Sequence, residues 1–246
     1  MRIGFYTKGP VSLPHQPYPK ATLLLIERAV VAAWQEIVNH PDGDFDITNA
    51  NEDRITRELR TCLVNRILDG SEVPGFTSEQ FSITREAKFE SYDGTHLDDM
   101  PDIHVSIKRN GTVSVASNDG LFVECKPVDV DHPAGRDYCD KGLLRFVNGH
   151  YAWALPQALM IGYADPTYAI SKKLKAAFNK RKATIKATGN PIACPDCNST
   201  DLSQVTYITV HDRGFIYPLT STIAPAITVR HVWLNTRKIS VAVPTR

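Results

Sequence analysis

Two short segments of the chain carry acidic and basic side chains at spacings that suit phosphate chemistry. In MPDIHVSIK, Asp102 stands at the start of an alternating, β-branched run, and in LFVECKPV, Glu124 and Lys126 share one face of a second such run. If the two predicted strands are neighbours, the three side chains converge at one edge of a sheet. Two nearby carboxylates are costly as bare charges, so we expect them to share a divalent cation such as Mg²⁺. The lysine is then placed to orient or deprotonate a water, or to stabilise charge that develops on a phosphate.

The same residues resemble the catalytic motif of the PD-(D/E)xK nuclease superfamily. Pro101 and Asp102 match its first half, and Glu124, Cys125 and Lys126 match its second half, 22 positions after Asp102. This gap lies in the usual range of that family. The resemblance implies that Asp102 and Glu124 are metal ligands and that Lys126 is the catalytic lysine.

The resemblance also implies a further acidic residue from the helix that precedes the motif strands. Glu52 is the first candidate for this metal ligand, and Glu58 is the second. The implied cofactor is Mg²⁺ or Mn²⁺. The resemblance covers residues 101–126 closely and residues 50–165 loosely.

The second half of the motif, considered alone, also fits an exposed salt bridge on the surface of a strand. Two features favour the metal site instead. Glu124 and Lys126 lie in an apolar run, where unpaired charges are expensive, and Asp102 follows a proline at a predicted strand start.

Two helices are predicted before the motifs. The segment ATLLLIERAVVAAWQEIVNH has a broad apolar face, and NANEDRITRELRTCLVNRILDG has a narrower apolar stripe. The second helix has Asn49 or Asn51 as its N-cap and ends at Gly70.

Three segments with period-two alternation follow these helices. They are QFSITREAKFES, DIHVSIKRNGTVSVAS and LFVECKPV, and all are rich in β-branched residues. The Asn-Gly pair at Asn110 and Gly111 predicts a tight hairpin inside the second segment.

The remainder of the chain predicts helix and then strands. Residues from Gly135 to about Lys182 are predicted to be helical, TGNPIACPDCNSTD is predicted to be a loop, and QVTYITVHD and AITVRHVWL are predicted strands. The order of helices, strands, helices and strands indicates an α/β fold with helices on the flanks of a sheet.

The resemblance makes that fold more specific, because it implies a restriction-endonuclease-like mixed β-sheet core. We expect one nuclease-like domain over residues 1–246. Its core is expected at about 50–185, and residues 190–246 are expected to form a C-terminal CxxC loop and β extension.

One predicted helix is strongly basic and carries no acidic residue, although the net charge of the chain is only +1. The segment SKKLKAAFNKRKATIK fits either a solvated helix face or a surface that faces phosphates. The candidate nucleic-acid contacts are Lys172, Lys173, Lys175, Lys180, Arg181 and Lys182.

A second segment, KGLLRFVNGHYAWALPQ, is rich in aromatic and basic residues. It fits either a nucleic-acid contact or a helix packed on the sheet. The residues in question are Arg145, Phe146, His150, Tyr151 and Trp153.

The CPDC sequence places Cys194 and Cys197 at the spacing of half a zinc site, so both are candidate Zn²⁺ ligands, although two free thiols fit as well. His211 and His231 lie downstream, at a spacing that matches no standard zinc finger. His211 beside Asp212 fits either a general base or the cap of a strand end.

The chain as a whole favours a cytoplasmic protein without a membrane partner. Its five cysteines are widely scattered, it opens without a secretory signal, and it contains no apolar stretch of about 20 residues.

We therefore expect a metal-dependent endodeoxyribonuclease that acts on DNA in restriction, phage defence or repair, and that works as a homodimer to cut both strands. One alternative is a non-catalytic nucleic-acid-binding or protein-interaction module on the same fold. A further alternative is a zinc-stabilised adaptor built around CPDC.

Overall fold

The computed structural model describes residues 12–109, 115–164, 170–194 and 206–236. These residues form a seven-stranded mixed sheet with helices packed on both of its faces. The mixed α/β fold with flanking helices that the sequence predicts is therefore confirmed.

The helices before the sheet begin close to where the sequence places them. Asn51 caps the second helix, because its side chain accepts a hydrogen bond of 2.9 Å from the backbone N–H of Arg54. Two π-helical segments, Leu63–Leu68 and Ala134–Leu143, continue the second helix and lead into the third. The α-helices are α1 (Lys20–Asn39), α2 (Glu52–Cys62), α3 (Leu144–Asn148) and α4 (Ile170–Arg181).

The strands are arranged in the order β1-β2-β3-β4-β7-β6-β5. The pairs β3–β4 and β4–β7 are parallel, and the other neighbouring pairs are antiparallel. The strands are β1 (Phe81–Arg85), β2 (Ile103–Ile107), β3 (Leu121–Val128), β4 (Gln157–Ala164), β5 (Ile192–Ala193), β6 (Tyr207–His211) and β7 (Ile227–Asn235).

Each face of the sheet has its own hydrophobic core. On one face α1 and α2 cover the strands, and Trp34 of α1 stacks on Tyr163 of β4 with 5.5 Å between ring centroids. On the other face lie the second π-helical segment, α3 and α4, and Tyr138 stacks on Trp233 of β7 at 4.8 Å. The central strands β3 and β4 are therefore buried between the two layers.

The prediction of helix from Gly135 to Lys182 is wrong over Gln157–Ala164, which form the central strand β4. Every residue from Ala158 to Ala164 is buried, because β4 lies between two parallel strands and is covered on both faces. Such a strand is a nearly continuous apolar run without period-two alternation, so periodicity does not separate it from a buried helix.

Two smaller predictions also need correction. The sequence predicts a strand through residues 115–117, but Val115 has a left-handed backbone (φ 52°) and Ala116–Asn118 form a 3₁₀ turn. In addition, Ile192–Ala193 are predicted to lie in a loop, but they pair with β6.

The predicted hairpin at Asn110 and Gly111 lies outside the described residues.

The strands after residue 206 belong to the same sheet as the motif strands. β7 pairs with β4 along Gln157–Ala164, and β6 pairs with β7. None of the helices in the described ranges combines the length and the apolar composition that a bilayer crossing requires.

Candidate active site

The pairing of β2 with β3 brings the two halves of the motif together. Ile103 is the partner of Val123, so Asp102, one residue before β2, lies beside Glu124. The carboxylate of Asp102 accepts a hydrogen bond of 2.6 Å from the backbone N–H of Cys125. This bond fixes the Asp102 side chain at the edge of β3, where the sequence predicts it.

Lys126 is the point on which the acidic side chains converge. Its Nζ lies 2.5 Å from Oε1 of Glu52, 3.1 Å from Oε1 of Glu124 and 3.7 Å from Oδ2 of Asp102. It also donates a hydrogen bond of 2.9 Å to the backbone carbonyl of Cys125. The structure thus brings together all four residues that the sequence identifies as the catalytic set.

Glu52 reaches this cluster because it is the first residue of α2, directly after the Asn51 cap. Glu58, the second candidate from that helix, does not take part. Its carboxylate instead pairs with the guanidinium groups of Arg54, at 3.1 Å, and Arg57, at 2.8 Å. The geometry therefore favours Glu52 over Glu58.

Glu124 is almost completely enclosed, with 1% of its surface exposed. The hydroxyl of Tyr151 donates a hydrogen bond to one of its oxygens, and Nη1 of Arg145 lies 3.3 Å from the other. Both residues belong to the segment KGLLRFVNGHYAWALPQ, whose sequence fits either a nucleic-acid contact or packing on the sheet. Phe146, Tyr151 and Trp153 are buried in the core, which favours packing for these three.

The roles of Arg145 and Tyr151 beside Glu124 are not visible in the sequence. The two residues lie 21 and 27 positions from Glu124 along the chain, beyond the reach of any local pattern. The only available signal is the concentration of aromatic and basic residues in their segment.

The buried carboxylates hold their protons more tightly than free ones do. Burial, followed by the charge of Asp102, raises the pKa of Glu124 to about 7, although Lys126 and Arg145 act in the opposite direction. Burial likewise raises the pKa values of Asp102 and Glu52, against the lowering effect of Lys126. The cluster therefore resists full ionisation unless more positive charge is supplied.

The same cluster favours the charged form of Lys126. Burial lowers the pKa of Lys126, but Glu124, Asp102 and Glu52 raise it by more, so that it lies above its ordinary value. Lys126 is consequently an ammonium group at neutral pH and acts as a hydrogen-bond donor and positive charge.

Close packing behind the site depends on a glycine in the π-helical segment Ala134–Leu143. A Cβ at Gly142 would lie 2.9 Å from Cε of Met160 and 3.3 Å from Cγ of Lys126. The absence of a side chain lets this segment approach β3 directly beneath the charged cluster. π-Helical turns are frequent at functional sites.

The donor set fits a hard divalent cation. Three carboxylates meet here, and the cations that contact them among the described residues are Lys126 and Arg145. Carboxylate oxygens are the ligands that Mg²⁺ and Mn²⁺ prefer. Glu52, Asp102 and Glu124 are therefore suitable ligands for such an ion.

The basic residues of α4 lie mostly on the surface, as a phosphate-binding face requires. Arg181 is different, because its Nε donates to both carboxylate oxygens of Asp140, at 2.7 and 2.8 Å. Arg181 is therefore already paired with a carboxylate, and its role as a phosphate contact stays a prediction. The exposed lysines on and just after α4 are Lys172, Lys173, Lys175, Lys180 and Lys182.

Only half of the CPDC motif lies in the described part of the chain. Cys194 is buried, and its Sγ accepts a hydrogen bond of 3.4 Å from Nη2 of Arg230. Cys197 lies outside the described residues, so a zinc site at this pair stays a prediction.

His211 belongs to a buried hydrogen-bonded chain away from the carboxylate cluster. Its Nδ1 lies 2.7 Å from the carbonyl of Ile185, and its Nε2 lies 2.7 Å from the hydroxyl of Thr209, which also contacts His231. His231 in turn contacts the hydroxyl of Tyr138 at 2.8 Å. These contacts indicate a structural role for His211 rather than that of a general base.

The buried histidines predict a loss of stability in mild acid. Burial lowers the pKa of His211 from 6.5 to about 4, so the unfolded chain binds the proton first as the pH falls. The contribution of His211 is thus complete above pH 6.5 and decreases toward pH 4, by up to about 1.4 kcal/mol per pH unit. We expect His211→Gln to flatten the pH dependence of the unfolding free energy by this amount, measured by urea denaturation.

The comparison between parent and variant cancels the titration of groups that are not coupled to His211, whereas the pKa of His231, which is lowered by burial and by His211, changes with the variant. Glu124, whose raised pKa has the opposite effect between pH 4.5 and 7, is present in both proteins and cancels. If the unfolding free energies of parent and variant changed equally with pH, the lowered pKa of His211 would be contradicted.

Comparisons with protein-family models, with curated proteins and with solved structures found no match to this chain. The function is therefore inferred from the residues and contacts of the site itself.

Proposed function

We propose that the protein is a divalent-metal-dependent nuclease that hydrolyses DNA phosphodiester bonds. The observation that carries this proposal is the convergence of carboxylates from α2, the start of β2 and β3 on the ammonium group of Lys126, at 2.5, 3.7 and 3.1 Å. A helix, a strand meander that contains both motif halves, and a helix behind the sheet follow in order. This order supports the further proposal that the core is restriction-endonuclease-like, as the resemblance to the PD-(D/E)xK superfamily implies.

The alternative of a non-catalytic binding module is less well supported. In such a module nothing requires three carboxylates to share one ammonium group, because each carboxylate beyond the first adds repulsion that the lysine does not neutralise. In this protein the carboxylates of Glu52, Asp102 and Glu124 lie 2.5, 3.7 and 3.1 Å from the same ammonium group. That arrangement favours an enzyme.

A bound Mg²⁺ or Mn²⁺, held by Glu52, Asp102 and Glu124, would polarise a phosphoryl oxygen and lower the pKa of a bound water. Lys126, as an ammonium group, donates to a phosphate oxygen and stabilises the negative charge that develops there. The backbone N–H of Cys125 orients Asp102 for its role as ligand.

Tyr151 and Arg145 also hold the carboxylate of Glu124. Tyr151 is fully buried and therefore acts as a positioning residue. The side chain of Arg145 is 45% exposed, so it can contact Glu124 and a substrate phosphate at the same time.

The exposed lysines of α4 supply the proposed contact with the DNA backbone. The end of α4 packs against the π-helical segment that follows β3. A Cβ added to Gly135 of that segment would lie only 2.5 Å from Nη1 of Arg181 at the end of α4. Lysines on such a surface position a duplex without reading its sequence. Cleavage of both strands would require two sites, so we include a homodimer in the proposal.

The test is a cleavage assay on supercoiled plasmid, linear duplex DNA and RNA, with Mg²⁺, with Mn²⁺ and with EDTA. We expect DNA cleavage in the presence of either metal, none in EDTA, and none in Lys126→Ala. The matched control is Lys108→Ala, which changes an exposed lysine directly after β2 and should cleave normally.

Two results would contradict the proposal. The first is metal-independent DNA binding without cleavage of any DNA substrate, which would identify a binding module. The second is full activity in Lys126→Ala, which would place the chemistry elsewhere.

A further inference from the structure

Three metal-ligating side chains that the proposed nuclease does not use lie together near the site. Nδ1 of His150 lies 3.1 and 3.3 Å from the two carboxylate oxygens of Asp99, and the rings of His96 and His150 are 4.6 Å apart between centroids. One ligating atom from each of the three residues lies within 4.8 Å of the other two. Two imidazoles and a carboxylate form a donor set distinct from the all-oxygen set around Lys126.

The backbone holds two of these residues in place before any ion binds. Asp99 exchanges two backbone hydrogen bonds with Phe89, of 2.8 and 3.1 Å. The backbone of His96 is fixed to Ser91 by two hydrogen bonds, of 2.8 and 3.0 Å. The segment that carries His96 and Asp99 is thus a closed loop with a defined shape, not an extended tether.

The third residue is joined to the same loop. The backbone N–H of Tyr92 donates a hydrogen bond of 3.1 Å to the carbonyl of Gly149, directly before His150. The aromatic rings of Tyr92 and Phe215 stack at 4.3 Å beside this contact. The segment that carries His96 and Asp99 is therefore held beside the segment that carries His150.

We propose that His96, Asp99 and His150 form a second metal site, which binds Zn²⁺. Imidazole nitrogen suits zinc, whereas Mg²⁺ prefers oxygen ligands alone. Zinc–nitrogen bonds of about 2.0–2.1 Å place neighbouring tetrahedral ligands about 3.3 Å apart. The observed cluster needs only small side-chain rotations to reach that spacing.

A simple ion pair does not account for the whole cluster. A hydrogen bond between Asp99 and His150 explains two of the residues, but not the placement of the His96 ring against His150. One metal ion would engage both imidazoles and the carboxylate together. His96 is exposed, which gives the ion a route from solvent, and three protein ligands leave a fourth position for water.

The location gives the site a structural consequence. Asp99 lies three residues before Asp102, and His150 is adjacent to Tyr151, which holds Glu124. Zinc would connect these two segments, each of which continues into a residue of the carboxylate cluster or its support. The proposal does not depend on nuclease activity, because binding is measured directly.

The test is a Zn²⁺ titration by isothermal calorimetry on protein first freed of metal with a chelator and kept in excess Mg²⁺. We expect the parent to bind one equivalent of Zn²⁺ that His96→Asn loses or binds at least 10-fold more weakly, with the same result for Asp99→Asn. Any zinc held by Cys194 and Cys197, or by the carboxylate cluster, is present in both proteins and cancels in the difference.

The matched control is His132→Asn. His132 forms an exposed pair with Asp129 at 3.0 Å, and among the described residues no third ligating side chain completes a metal-binding group around that pair. This variant should bind zinc as the parent does. Equal stoichiometry and affinity in the parent, His96→Asn and Asp99→Asn would overturn the proposal, as would an equal loss in His132→Asn.

Discussion

Glu124→Gln is expected to lower DNA cleavage by about 10³-fold or more while leaving the folded protein at least as stable as the parent. Glutamine keeps the shape of the side chain but removes the charge that a metal ligand must supply. Burial and Asp102 raise the pKa of Glu124 to about 7, so its ionised form is disfavoured in the folded protein. This cost acts above pH 4.5 and is complete above pH 7, and the amide avoids it.

The measurement pairs a cleavage rate in Mg²⁺ with a thermal unfolding curve at about pH 8 in metal-free buffer, where the ionised form of Glu124 predominates. Glu58→Gln is the control, because it makes the same glutamate-to-glutamine change at a residue of α2 that lies outside the cluster. Retained cleavage in Glu124→Gln would exclude Glu124 as a metal ligand. A fall in melting temperature that parallels the loss of cleavage would identify a structural role instead.

Glu27→Ala is expected to destabilise the protein by about 3–5 kcal/mol, the largest effect on folding that we predict. Glu27 on α1 and Arg230 on β7 are each 5% exposed and form a bidentate pair, with Nη2 and Oε2 3.0 Å apart. Removal of the carboxylate leaves the guanidinium buried without its main counter-charge. Urea denaturation at neutral pH measures the loss.

The control for this prediction lies on the same helix. Glu36 pairs with Arg66 at 3.0 Å, but both side chains are about one-third exposed, so Glu36→Ala should cost no more than about 1 kcal/mol. A loss in Glu27→Ala no larger than that in Glu36→Ala would contradict the buried-pair argument.

The motif strands and the polar positions of Asp102, Glu124 and Lys126 on them could be predicted because the alternation is local, whereas Glu52 is implied only by the resemblance to the PD-(D/E)xK superfamily. LFVECKPV alternates cleanly, and β3 has the predicted bounds Leu121–Val128. Cys125 packs into the core on the side of α1 and α2, as its position between two charged residues indicates. The pairing of β2 with β3 is a condition that the proposed chemistry requires, and the structure has that pairing.

Other parts of the site depend on contacts that no local pattern contains. β4 is apolar on both faces and is therefore indistinguishable from a buried helix by period. Arg145 and Arg181 both lie in segments that the sequence predicts to be helical, yet one contacts Glu124 and the other is held by Asp140. The packing of the helices determines which carboxylate each arginine contacts, and the neighbouring residues in the chain do not.

The π-helical segment Ala134–Leu143 determines which side chain meets Glu124. A π turn contains one more residue than an α turn, and each residue of an α-helix advances the direction of its side chain by about 100°. Deletion of one residue from this segment would shift the direction of the Arg145 side chain by about 100° and turn it away from Glu124. The contact therefore depends on the length of the segment between β3 and α3 as much as on the presence of an arginine.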